Sequence, residues 1–512
     1  MKKIDPQSWK ADMPLFREKA IAYSKGEIKK AEYKGFSGRY GSYAQHDPSK
    51  NMLRLRMPAG RVTAKKLAYI AESIRKYQVP RAHFTTCQTI QLHDMDAVST
   101  CDIMEGALDV GIVTMGGGGD FPRNTMCAPL SGVQKGEYFD VLPYAEAVGE
   151  FAMNFINADP MPRKLKVGFS NSPENVAHAT FRDMGYAARP DGKFDIYTAG
   201  GLGNNPRFGV KVAEAVEPDQ LVFYLKAMWL TFRTYGDYQN RGHARTRYLQ
   251  EILGGAEKYK EAYLEKLKEV YDSGEDLTLH VEPIVFTKKG DGSTVSDPRV
   301  VEQKQDGLYA VAWHPIGGMP AVEDLCAVSD AMSAMDQVEM RIAPYETVYI
   351  INLTGTEAKK MLELTQNTAK TIFETSVSCI GVSTCQVGVR DSQALLRACV
   401  EAVREAKIPD GALPQIHISG CPSSCGTHQT GEMGFRGAIK NKQSAFMFYL
   451  SGCDRQGEEK MGAELGTILE TEIPKFLVEL GRTIAASGKD YYAWKAENPD
   501  GVEKIAAPYL AE

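Results

Sequence analysis

No stretch of the 512 residues approaches the ~18 consecutive apolar side chains of a membrane-spanning helix, so no such helix is expected. The opening residues Met1-Lys2-Lys3-Ile4-Asp5-Pro6 lead into no apolar segment. No secretory leader is therefore expected, and the expected setting is cytoplasmic. Positive charge is not in excess either. Lys and Arg number 60 against 65 Asp and Glu, for a net charge of −5. Neither nucleic acid nor a membrane surface is an expected partner, and any basic patch must be local. A G-x-G-x-x-G dinucleotide fingerprint is also missing: AGGLG at 199–203 is too short for one, so neither flavin nor nicotinamide is expected. What remains is an ordinary soluble composition, 43% hydrophobic and 24% charged, in a chain long enough for two to four structural units.

The first positive signal is an internal repeat. Residues 52–93 and 309–354 both read strand, Gly-containing turn, helix, turn, strand. Gly60 to Cys87 spans the same interval as Gly318 to Tyr345, and at that offset Phe84 meets Ile342 and Thr89 meets Thr347. Helical spacing puts Leu67, Ile70, Ala71, Ile74 and Tyr77 on one face of the first helix. It does the same for Leu325, Val328, Met332 and Met335 in the second. Each repeat precedes a longer α/β stretch, 111–290 and 371–512, and KKGDGSTVSDP at 288–298 reads as an exposed turn or hairpin between halves. Five segments are expected: an arm at 1–47, then units at 48–110, 111–290, 291–370 and 371–512.

Ten cysteines in a reducing setting are expected to be buried, metal-binding or catalytic rather than disulfide-bonded. Four of them fall as C-x5-C in CIGVSTC (379–385) and C-x3-C in CPSSC (421–425), in loops rich in Gly, Pro and Ser. Four thiolates can hold an iron–sulfur cluster, with loop amides donating to sulfur. The alternatives are a structural zinc site, for which the wider step is unusual, or four inert thiols. Cys87, Cys101, Cys127, Cys326, Cys399 and Cys453 have no such spacing and read as small core residues.

The cysteine loops within HISGCPSSCGTHQTGEMGFRG (417–437) resemble the signature of siroheme-containing sulfite and nitrite reductases. MLRLRMPAG (52–60), TTCQTIQLH (85–93), GGDFPRN (118–124), MPRKLKVGFSNS (161–172), AGGLG (199–203) and ARTRYLQEILGG (244–255) are similar to that family's blocks, in its order. The resemblance covers roughly residues 40–480. It implies an α+β fold: duplicated ferredoxin-like half-domains related by a pseudo-two-fold, with α/β siroheme and [4Fe-4S] domains. It implies that Cys379, Cys385, Cys421 and Cys425 hold a [4Fe-4S] cluster, with Cys425 shared with siroheme, and that Gln91 and Arg163 bind the cofactor. It further implies reduction of sulfite to sulfide with six electrons supplied by ferredoxin or another external donor protein.

An anionic substrate needs desolvated positive charge around it. By resemblance that role falls on Arg54, Arg123, Lys164 and Lys166. Lys164 and Lys166 would share one face of an extended segment, a costly arrangement unless an anion lies between them. Sulfite-type members resemble Lys-x-Lys here and nitrite-type members Lys-x-Asn, so Lys166 favours sulfite. Two positions depart from the pattern more seriously. Cys87 stands where the family has an arginine that grips a siroheme carboxylate, and His83 where an arginine is common. Compensation by Arg81 or Arg163, a differently seated or amidated cofactor, or loss of turnover would each account for Cys87. Ser423 for Asn and Glu346 for Gln read as minor. The alternatives to sulfite reduction are an assimilatory nitrite reductase and a non-catalytic siroheme and iron–sulfur carrier or sensor.

Overall fold

The computed structural model describes residues 4–511; residues 1–3 of the expected arm, and residue 512, lie outside it. Four β-sheets form two similar pairs.

In the first pair, the strands Asn51–Leu55, Ile90–Met95 and Arg81–Phe84 have counterparts in Tyr309–Trp313, Val348–Leu353 and Glu339–Ile342. The register is the same throughout. Arg81 faces His93 and Phe84 faces Ile90, while Glu339 faces Ile351 and Ile342 faces Val348. Every position is displaced by the interval that separates Gly60 from Gly318, so the repeat read in the sequence is structural. The turn before each helix needs left-handed backbone, at Ala59 and Gly60 (φ 56° and 73°) and at Gly317 and Gly318 (64° and 69°). The turns interlock: a side chain at Gly60 would strike the Ile342 carbonyl, and one at Gly318 the Phe84 carbonyl. The helices Ala64–Tyr77 and Val322–Ser333 bury Leu67, Ile70, Ile74, Leu325, Val328 and Met332 in one shared core. Strand Arg61–Thr63 leaves the first half to pair with Glu339–Arg341 of the second, tying the two together.

The second pair repeats as well, which the sequence reading did not reach. Strands Met126–Cys127, Val167–Ser170 and Met184–Ala188 run parallel, followed by antiparallel Phe194–Thr198 and Val210–Val216. Val377–Ser378, Ile416–Ser419 and Met433–Lys440 run parallel, followed by antiparallel Gln443–Leu450 and Ala463–Leu469. Val167 faces Met184 as Ile416 faces Met433, and Ser170 faces Ala187 as Ser419 faces Arg436. The loops between these strands share their left-handed residues too, Asn175 and His178 in one, Ser424 and Thr427 in the other. CPSSC is thus the second copy of a loop that reads SPENV in the first, and Ser172 and Val176 stand where Cys421 and Cys425 are.

The N-terminal helices Met13–Ser24 and Lys30–Ser37 bury Phe16, Tyr23 and Tyr33 in the core of the ferredoxin-like halves. Residues 275–299 carry no helix or strand, so no hairpin forms at 288–298. No helix among the described residues is long and apolar enough to cross a membrane.

Candidate active site

Strand register makes the first contact of the site. Arg54 and Gln91 are direct cross-strand partners. With its oxygen turned toward Arg54, the Gln91 amide accepts from Nη2 and Nε at 2.5 and 3.1 Å. Arg54 Nη1 donates to the Gly117 carbonyl, and Arg123 Nη1 donates to the same oxygen, each at 2.5 Å. Arg123 Nη2 reaches the Gly119 carbonyl at 2.7 Å. Two guanidinium groups therefore converge on one neutral acceptor. Burial, reinforced by Arg54, pulls the Arg123 pKa down to about 10. The loop that carries these carbonyls must be glycine-rich: a side chain at Gly118 would run into Tyr43 Oη and the Gly38 carbonyl. Arg56, buried behind it, holds the loop by donating to Met115, Pro122 and Arg123 carbonyls at 2.9–3.0 Å.

Lys164 and Lys166 reach the same place from the other side. Leu165 between them is fully buried and bridges to Pro122, and Arg123 N–H donates to its carbonyl at 2.8 Å. The extended backbone then sends both ammonium groups to one face, as the alternation in PRKLK predicts. Among the described residues neither lysine has a carboxylate within ion-pair distance. Burial, with Arg245, Lys166 and Arg123 nearby, holds Lys164 well below the usual lysine range. Among the described residues, buried Arg182 has the Ala177 carbonyl and His178 as its hydrogen-bond partners, and Arg247 the Asn204 carbonyl, with its Nη1 unpaired. Arg163 is paired with Asp120 at 2.6 Å and, with Lys164, Arg245 and Arg247, lines a 290 Å³ cavity reaching Cys421.

Cys87 sits at the tip of the Thr85–Thr89 turn. Burial would raise its thiol pKa, but Lys166, Arg182, Arg54 and Lys164 together lower it to about 6. The cations around Cys87 are thus not Arg81, which pairs with Asp94, or Arg163, which pairs with Asp120. The neighbouring Thr86 hydroxyl donates to the Cys425 carbonyl at 2.9 Å, so the turn touches the cysteine loop directly.

The four spaced cysteines come together. Cys379 follows strand Val377–Ser378, and its sulfur accepts from Gly420 N–H at 3.2 Å and lies 3.1 Å from Ser392 Oγ. Burial, with Cys425 next, pushes its pKa up to about 12. Desolvation by the surrounding loops also raises Cys425, whose surface is nonetheless exposed, opposed by Lys164 and Lys166 and reinforced by Cys421 and Cys385. Among the described residues no three Cys, His, Asp or Glu side chains stand close enough to hold a single ion. Cys425 interacts electrostatically with Cys379, Cys421 and Cys385, and four neighbouring thiols with an amide donor at Gly420 suit a polynuclear cluster better than zinc. Siroheme fits in the same sense: a polycarboxylate meets Arg54, Arg123, Lys164, Lys166, Arg182 and Arg247, none of which has a carboxylate within ion-pair distance among the described residues. Cys101, Cys127, Cys326 and Cys399 are buried core residues, and Cys453 is half-buried.

The structure thus brings Arg54, Gln91, Arg123, Arg163, Lys164 and Lys166 to the loop of Cys425. Sequence reasoning missed Arg56, Arg182, Arg245, Arg247 and Thr86. The two arginines of ARTRYLQEILGG were recognisable as a family block but carried no spacing that assigned a role.

Comparisons with known proteins give the chain its relatives. The nitrite/sulfite reductase ferredoxin-like half domain matches residues 43–110, and the nitrite and sulphite reductase 4Fe-4S domain matches residues 118–271. A chloroplastic ferredoxin–nitrite reductase of Arabidopsis thaliana is 26% identical over 414 residues, 77% of this chain and 68% of that protein. A sulfite reductase [ferredoxin] of Mycolicibacterium paratuberculosis is 24% identical over 403 residues, 75% of this chain and 69% of that protein. The fold is shared with the Mycobacterium tuberculosis NirA protein, at a TM-score of 0.75 and 21% identity over 92% of this chain and 90% of that one.

Proposed function

Because the chain belongs to the nitrite and sulphite reductase family, we propose that it reduces sulfite to sulfide, six electrons and the matching protons yielding sulfide and water. The observation that carries this reading is the convergence on the loop of Cys425 of six cations that have no carboxylate within ion-pair distance among the described residues. Cys379, Cys385, Cys421 and Cys425 hold the cluster in this reading, and Arg163, Gln91 and the loop of Cys425 contact the siroheme. When bound, siroheme and the cluster would supply the electrons, with Cys425 serving as a cluster ligand that would also meet the siroheme.

The chain's own residues do the rest. Arg54 and Arg123 are held rigid by Gly117, Gly119 and Gln91, so they meet the anion without reorganising. Lys164 and Lys166 offer ammonium protons from the facing side, and the depressed affinity of Lys164 for its proton makes it the better donor as oxygen leaves. Ferredoxin, named in the relatives on both sides of the family, is the proposed electron donor.

Reduced viologen oxidation by the anaerobic holoenzyme, with sulfite and nitrite assayed in parallel, tests the reading. A higher kcat/KM for sulfite is expected, and Lys166→Asn is expected to move the ratio toward nitrite. A wild-type preference for nitrite overturns the choice of substrate. Turnover of neither anion by protein carrying its siroheme favours a carrier or sensor, with Cys87→Arg as the first reversion.

A further inference from the structure

Two residues that depart from the family pattern, His83 and Glu346, meet in the core between the halves, 3% and 0% exposed. His83 Nε2 lies 3.7 Å from Glu346 Oε1, and among the described residues neither atom has a hydrogen-bond partner. The second carboxylate oxygen accepts the Ser378 N–H at 3.1 Å. Across the imidazole, His83 Nδ1 lies 3.4 Å from the Gln91 amide, which also approaches His93 Nε2 at 3.2 Å.

The sense of each hydrogen bond is fixed by chemistry. A guanidinium only donates, so Gln91 must present its oxygen to Arg54. Its NH2 group then faces both histidines, and His83 Nδ1 and His93 Nε2 must both be free of a proton. A neutral imidazole with a bare Nδ1 carries its proton on Nε2, which in His83 points at Glu346. His93 is kept neutral by burial and by His83, Arg81 and Arg54. Burial raises the Glu346 pKa, but His83 and the Ser378 N–H work against it and favour the carboxylate.

We propose that Glu346 is a positioning residue of the anion site. Its Oε1, 3.7 Å from His83 Nε2, holds the imidazole proton on Nε2 by electrostatic attraction, which leaves Nδ1 to the Gln91 amide and so aims the Gln91 oxygen at Arg54.

The repeat supplies an internal control. The counterpart of Glu346 is Gln88, whose amide donates to Cys127 and Ile342 carbonyls and accepts from Cys127 N–H. A glutamine therefore fits the shape of the place. The counterparts of the Arg54–Gln91 pair are Ala312 and Tyr349, with no guanidinium to steer. Of the two equivalent places, the carboxylate stands only at the one that meets the His83–Gln91–Arg54 chain of the other half.

The assay rests on the reductase reading, but the two fail separately: wild-type turnover tests that reading, and the comparison among variants tests this one. Holoenzymes carrying Glu346→Gln, Gln91→Leu and both changes form a double-mutant cycle. Each single change is expected to raise KM for sulfite about tenfold, the equivalent of one hydrogen bond to a charged group, with the larger effect in KM than in kcat. The double variant is expected to be no worse than Gln91→Leu alone, because the influence of Glu346 passes through Gln91. Sulfite binding to the oxidised holoenzyme, followed in its visible spectrum, should show the same pattern without turnover. Additive effects, or an unchanged KM in Glu346→Gln, overturn the proposal. Should Glu346→Gln fail to fold, His83→Leu takes its place in the cycle with the same expectation.

Discussion

Lys164 illustrates at the scale of one residue how a site for an anion strains the protein that carries it. Its ammonium is held among Arg245, Lys166 and Arg123 with no carboxylate of its own. Lys164→Met should therefore lower kcat/KM by about 100-fold or more, as expected for losing one preorganised charge. It should also raise the stability of the anion-free protein by about 1 kcal/mol, measured as a shift in denaturant midpoint. Cys87 reports the same field from the opposite charge. In protein prepared without siroheme, its alkylation rate should rise through a midpoint near 6, and Lys166→Met should move that midpoint upward. The residues that the sequence made legible were those in compact motifs, the four cysteines, MLRLR and PRKLK. Arg56 and Arg182 were not legible, because each is defined by carbonyls that only the folded loops bring to it.

Between elements, the joint of the two halves is ionic as well as apolar. Strand Arg61–Thr63 crosses to the second half, where Arg61 donates to Glu339, and Glu339 also accepts from the fully buried Arg341 at 2.9–3.1 Å. Glu339→Gln would leave Arg341 charged and unpaired in the core. A loss of about 3 kcal/mol is expected, read from chemical unfolding. The ferredoxin-like repeat was visible in the sequence because glycine turns and apolar spacing survive divergence at matched positions. The repeat of the cofactor domains was not. Its two copies share little beyond Ser170, Pro173, Met184 and Gly185 with Ser419, Pro422, Met433 and Gly434, too sparse to see before the strand registers coincide. Glu346 read as a minor replacement because its partner, His83, lies in the other half of the chain.

Across the whole molecule, a net negative protein gathers a cluster of desolvated cations at one internal place and keeps most of its histidines out of water. Of the nine histidines, burial depresses His93, His178 and His417, and takes His314 to about 4 and His428 to about 3. The unfolded chain takes up protons near pH 6.5, where these folded histidines do not. Stability from this source is complete above that pH and is lost as pH falls toward the folded values, by up to about 1.4 kcal/mol per pH unit for each histidine. The thermal midpoint should therefore drop between pH 7.5 and 5.5, and His314→Asn should make the drop shallower.

The doubled architecture also bears on how such a chain can change. Arg54 and Gln91 have Ala312 and Tyr349 as their counterparts in the repeat, and Cys421 and Cys425 have Ser172 and Val176. In a pair of identical subunits, any substitution would appear twice, and a residue needed once would have to be tolerated in both places. Covalent linkage removes that constraint: one copy is free to specialise in gripping anions and the other in carrying thiols, and neither can be discarded afterwards.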